Sequence, residues 1–287
     1  LFPLREAIAT YTALRARHVP VKMIWQQWGH GVVAKPAEYS PGRLDGTYQG
    51  RMIRDWFAYW LQDKGPRPAL DFHYYQPWRD KGDASAAYAV APAYPLAGST
   101  TLYASGKSLH PSRDVLAASS TPMVAPGSAP VSTGEPSPLL QTMWVPDVPG
   151  ATAVLTTRPL ARDVDVVGAP TARLRLQSPT AGPTRPESML VAFVKLYDMA
   201  PDGTIDVSTR MVAPIRVSDL RRPVDVALPA MVHRFRAGHR LQLVVSLTDF
   251  AYKGNAHPQV ATLSTSAGAP TTLTLPGRID LAAFTTG

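Results

Sequence analysis

The sequence predicts an α/β segment followed by an all-β domain, and three observations carry that prediction. Helical spacing of apolar residues is confined to about the first 65 positions. Between the two helical stretches stands a short apolar strand, VKMIW, of the kind buried on both faces. From about residue 141 onward, short apolar or alternating runs follow one another between turn residues.

Taken in order, LFPLREAIATYTALRARHVP places Leu4, Ile8, Tyr11 and Leu14 at helical spacing. Pro3 suits the first turn, and Arg15, Arg17 and His18 suit the negative end of the helix dipole. Val19-Pro20 ends the helix, because a residue before proline is pushed out of the α region. VKMIW then reads as a short strand. After a loop rich in Gly and Pro, GRMIRDWFAYWLQDKGP carries Ile53, Trp56, Phe57 and Trp60 on one face, with Gly65-Pro66 as a stop. Helix, buried strand, loop and helix form the last stretch of a helix-covered sheet.

Beyond this, LDFHYYQPW and STTLYAS read as strands, and residues 117 to 138, rich in Ala, Ser and Pro, as a long surface connection. TAVLTTRPL, TARLRLQS, MLVAFVKLYDM, STRMVAPIRV, VDVALP, RLQLVVSLTDF and TTLTLP then supply seven runs, with Pro201-Asp202-Gly203 a turn signal. Seven or eight strands at this spacing imply a sandwich of jelly-roll form. The expected organisation is therefore an α/β part at 1–80, a connecting region at 81–140 and a β-sandwich at 141–287.

The totals agree. A chain of 287 residues exceeds the ~150 of a single-domain prior, and 45% hydrophobic with 17% charged residues is a globular composition. The 29 prolines favour edges and turns over helix interiors. Absence of cysteine excludes disulfides, thiolate metal sites and a cysteine nucleophile. No apolar stretch approaches the ~18 residues that span a bilayer, so no membrane partner is expected. The opening LFPLREAIATY lacks a signal peptide and an initiator methionine and reads as the middle of something longer, leaving the compartment open between cytoplasmic and exported. Net charge is +8, but no basic run interleaves with aromatics, so nucleic acid is not expected either.

One stretch points to chemistry. VKMIWQQWGHG stops on Trp28 and sets His30 between two glycines. A strand apolar on both faces belongs at the centre of a parallel sheet, so the next loop lies at the carboxyl edge, where open α/β sheets place their ligands. In a Ser, Asp, His triad the histidine comes last in chain order and shuttles the serine proton. His73, His233, His239 and His257 stand in or beside β runs, His18 at a helix end and His110 in a loop, none at metal-ligand spacing. No metal and no cofactor are therefore expected. A nucleophile elbow G-x-S-x-G is missing: the Gly42/Gly46 and Gly46/Gly50 pairs have no serine at their centres.

Trp28-Gly29-His30-Gly31, with the helix RDWFAYWLQDKG behind it, resembles the histidine loop of the cocaine esterase / Xaa-Pro dipeptidyl-peptidase / α-amino-acid ester hydrolase family of serine hydrolases. LARDVDVVGAPTARLRLQS, FVKLYDMAPDGT and HRFRAGHRLQLVVSLTDF resemble strands of that family's jelly roll. The resemblance implies the C-terminal end of an α/β-hydrolase domain followed by a jelly roll, with His30 as the one catalytic residue carried over. It implies that serine and aspartate lie on an upstream segment, as partner or as part of one polypeptide, and that a small acyl ester or peptide is the substrate. The chain alone is then expected to be inactive, and residues 1–65 either to associate tightly with that segment or to lack order. Asp45 and Asp55 follow His30 and read as loop and helix-surface residues, and Asp249 as a turn cap. A homo-oligomer stays open. The alternative is a jelly-roll carbohydrate- or ligand-binding module without hydrolytic activity, against which the β region's shortage of tryptophan counts.

Overall fold

The computed structural model of the chain describes residues 4–29, 33–40, 42–114, 117–126, 147–182, 184–206, 212–249, 252 and 257–285. The chain divides into two units, one of residues 1–96 with 232–234, the other of residues 97–231 with 235–287.

The first unit contains α1 (Arg5–Ala16), β1 (Met23–Trp25), α2 (Tyr48–Gln62), β2 (Phe72–Tyr75) and β3 (Tyr88–Ala91). β1 pairs with β2 in parallel, Met23 opposite Phe72, and β2 pairs with β3 antiparallel. The parallel pair is formed, with α2 as its connection, but among the described residues β1 ends the order β1-β2-β3 instead of standing at the centre expected of it. Trp25 meets Phe72 edge-on at 4.9 Å and Tyr94 at 5.0 Å, an aromatic core under the strand end.

α2 starts before the apolar pattern does, because Thr47 caps it, its side chain accepting from the Gly50 amide at 3.2 Å. Gly50 is forced: a Cβ there would lie 2.3 Å from the Leu44 carbonyl oxygen and 2.4 Å from Thr47 Oγ1. The helix closes on Asp63 in the left-handed region rather than on Gly65. Trp56 and Trp60 of its apolar stripe are half-buried, but one edge is open among the described residues: Ile53 is 38%, Phe57 51% and Leu61 74% exposed.

The second unit contains β4 (Ser99–Ser105), β5 (Ser108–His110), β6 (Ser119–Ala125), β7 (Thr152–Thr156), β8 (Val164–Gly168), β9 (Thr171–Gln177), β10 (Leu190–Met199), β11 (Ile205–Asp206), β12 (Val212–Val217), β13 (Val224–Ala227), β15 (Arg240–Ser246), β16 (Gln259–Thr265) and β17 (Thr272–Pro276), while β14 (Met231–Phe235) is divided between the units. Hydrogen-bonded neighbours run β11-β10-β15-β7-β5-β4-β17-β9-β16-β6, with β12 on β10 and β13 on β9. Met123 of β6 and Leu196 of β10, at far ends of this path, share one core with Leu155, Leu174, Leu243 and Leu273. The sheet therefore folds over itself as a β-sandwich.

Part of the segment 117–138, expected as a surface connection, is a strand instead. Residues 119–125 are strand β6, paired along its length with β16, while 127–138 lie outside the described residues. Pro122 sits in β6, the end of the path, and Pro214 in β12, which hangs on β10 alone. A proline cannot donate to a ladder, so these edges absorb it. Among the described residues no helix is long and apolar enough to cross a membrane.

Candidate active site

His30 lies outside the described residues, but the segment leading to it does not. Gln26, Gln27 and Trp28 continue from β1 at its carboxyl end, where the chain leaves the parallel pair. A Cβ built on Gly29 would meet nothing within 4 Å, so the glycine before the histidine faces open space. Packing does not demand a small residue there.

Gln27 and Trp28 are held by side chains from the loop, from α2 and from β3. Gln27 Nε2 donates to Glu38 Oε2 at 2.7 Å. The Trp28 indole N–H donates to Gln49 Oε1 at 3.2 Å, Gln49 Nε2 donates to the Tyr88 hydroxyl at 2.8 Å, and Tyr88 donates to Glu38 Oε1 at 2.6 Å. Trp28 also stacks on Tyr39, ring centroids 5.3 Å apart. Glu38 is completely buried, and burial with the adjacent carboxylate pushes the Tyr88 hydroxyl well above its ordinary range, keeping it a donor.

Behind this lies a second array. Tyr48 stacks on Tyr88 at 4.4 Å and its hydroxyl meets His73 Nδ1 at 2.7 Å. His73 Nε2 faces Asp71 Oδ1 at 2.9 Å, and Asp71 also pairs with Lys22. Burial, followed by the charge of Lys22, lowers the imidazole pKa below 6.5. His73 is thus a satisfied, neutral core histidine, as its place in a β run suggested.

Asp45 and Asp55 are surface residues, both paired with Arg54. His239 accompanies Asp198, Nδ1 to Oδ1 2.8 Å, and His18 sits at the helix end with φ 57°. Asp249, read from the sequence as a turn cap, is also an ion-pair partner: its Oδ2 lies 2.7 Å from Lys195 Nζ, which also pairs with Asp147. Tyr197 donates to Asp147 at 3.0 Å. Lys195 carries a charge inside β10, whose faces are both buried, Leu190, Ala192, Val194 and Leu196 toward the core and Val191, Phe193 and Tyr197 opposite. A lone lysine in an apolar run was the readable signal. Nothing local to AKPAEYSPG signalled Glu38.

The X-Pro dipeptidyl-peptidase C-terminal non-catalytic domain family matches residues 78–275. Among solved structures, an aminopeptidase from a marine sediment archaeon, Thaumarchaeota archaeon, is similar over 92% of this chain and 51% of that one, TM-score 0.65 at 16% identity. An α-amino acid ester hydrolase is similar over 80% of this chain and 45% of that one, TM-score 0.57 at 17% identity. A CocE/NonD family hydrolase from Staphylococcus aureus is similar over 79% and 45%, TM-score 0.52 at 12% identity. The chain thus spans about half the length of these proteins. No curated protein matches it by sequence. These relatives are the hydrolases that the histidine-loop and strand motifs resemble, and the match runs along their C-terminal part. By the extent of its match, the chain belongs to the X-Pro dipeptidyl-peptidase C-terminal non-catalytic domain family.

Proposed function

We propose that the chain is the C-terminal part of a serine hydrolase and that His30 serves as its triad histidine. The observation that carries this is the parallel β1–β2 pair, from whose carboxyl end residues 26–29 lead on to position 30. There the imidazole takes the proton of a serine hydroxyl as it attacks an acyl carbonyl, then returns it to the leaving alcohol or amine. The serine, the aspartate that orients the imidazole and the oxyanion donors come from an upstream α/β-hydrolase segment. The open edge of the α2 stripe, with Phe57 and Leu61, is the surface that segment would bury. Acyl esters, amides and X-Pro peptides form the substrate class.

The test is turnover of a chromogenic acyl ester and an X-Pro anilide by the chain alone and with the serine-bearing segment. Turnover only in combination, lost on His30→Ala, is expected. Saccharide binding by the chain, with no hydrolysis in any combination, would replace this reading by that of a binding module.

A further inference from the structure

LVAFVKLYDM forms β10, and its apolar residues occupy both faces of the strand. Leu190, Ala192, Val194 and Leu196 lie in the core, and Val191, Phe193 and Tyr197 lie buried on the opposite face. A strand with one apolar and one polar face cannot shift without turning the wrong side to the core. A strand apolar on both faces lacks that safeguard. Sliding β10 by two residues against β12 and β15 would still set apolar side chains on apolar neighbours over most of its length. We infer that Lys195 is the register key of β10, the charge that permits a single alignment of this strand with its neighbours.

The sheet gives Lys195 no partner of its own, since it stands between Val212 of β12 and Val244 of β15. Its carboxylates come from outside the ladder, Asp147 ahead of β7 and Asp249 just past β15, Oδ2 of the latter 2.7 Å from Nζ. Tyr197 donates to the same Asp147 at 3.0 Å. A slip of one residue would turn the ammonium into the core at the place of Leu196, beside Leu243 and away from both carboxylates. A slip of two would move it roughly 7 Å along the strand, out of reach of both. Asp198, which faces His239 at 2.8 Å, already opposes the two-residue slip that would carry it to the place of Leu196. Lys195 opposes the slip in the other direction.

Stability is not what such a cluster adds. Neutral residues of similar volume in place of buried ion pairs are often as stable or more so, and cores lose uniqueness before they lose stability. What the lysine and its two aspartates supply is the choice of one alignment over its neighbours.

The chain has no cysteine, so an introduced pair reports alignment without competition. Val194→Cys with Val245→Cys reads the observed register, in which these residues face each other. Val194→Cys with Leu243→Cys reads the strand slid by two. Facing residues are about 4.5–5.5 Å apart at Cα, within disulfide reach, and diagonal ones about 7–8 Å, beyond it. Each pair is oxidised mildly and quantified by mass spectrometry in the wild-type chain, in neutral Lys195→Met/Asp147→Asn/Asp249→Asn, and in transposed Phe193→Lys/Lys195→Phe. We expect the slid pair to rise ~10-fold over wild type in the neutral variant while its urea midpoint is held. In the transposed variant the slid pair should exceed the native one, because the moved lysine meets its aspartates only after the slip. A folded neutral variant with the slid pair at the wild-type level would overturn the inference. Loss of folding in that variant would overturn it as well, by making the cluster a source of stability.

Discussion

Lys195 faces two carboxylates from within a strand buried on both sides, and its loss would leave Asp147 and Asp249 without their cation. Breaking a buried ion pair costs about 3–5 kcal/mol, so Lys195→Ala should lower unfolding stability by that order in urea titration. Adding Asp147→Asn and Asp249→Asn should recover most of it. A second prediction concerns His73, whose imidazole pKa is held below 6.5 by burial. The unfolded chain then binds more protons below that pH, so this group's contribution is complete above pH 6.5 and is lost as pH falls toward the folded value. His73→Gln should flatten the pH dependence of the urea midpoint below pH 6.5. At this scale the sequence was partly legible. Lys195 stands out as one charge in an apolar run, but its partner Asp147 is 48 residues away. Glu38 was invisible, because Gln27 and Tyr88 lie 11 and 50 residues from it and the loop around it carries no pattern.

Among the elements, α2 shows how local chemistry and missing cover combine. Thr47 and Gly50 set its start by close contact, so Gly50→Ala should destabilise the chain by about 1–3 kcal/mol through overpacking, read in thermal unfolding. The opposite holds for Phe57 and Leu61. Replacing both by Glu should change the chain's own stability by no more than about 0.5 kcal/mol each, as for exposed sites. The same pair should abolish association with the serine-bearing segment in calorimetric titration; unchanged affinity would remove α2 from that interface. The nearly continuous apolar run of β10 was legible because burial on both faces leaves little other composition, and β15 and VKMIW because they are short apolar-rich runs bounded by turn signals. β6 was not. SSTPMVA has the serine and proline of a linker, and only its pairing with β16 makes it a strand.

For the molecule as a whole, β-sandwich and parallel pair followed from periodicity, whereas the distribution of chemistry did not. Motifs at the histidine loop and in three strands carried the family, because they join turn and packing requirements that composition does not record. In the proposed reading, the mark that the upstream segment leaves on the described residues is the exposed apolar edge of α2. The most direct measurement is fluorophosphonate labelling of the serine-bearing segment in the presence of this chain, wild type against His30→Ala. A general base contributes roughly 100- to 10,000-fold, and labelling should slow by at least about 100-fold in the variant. Labelling at the wild-type rate would show that the serine is activated by another group and contradict the account.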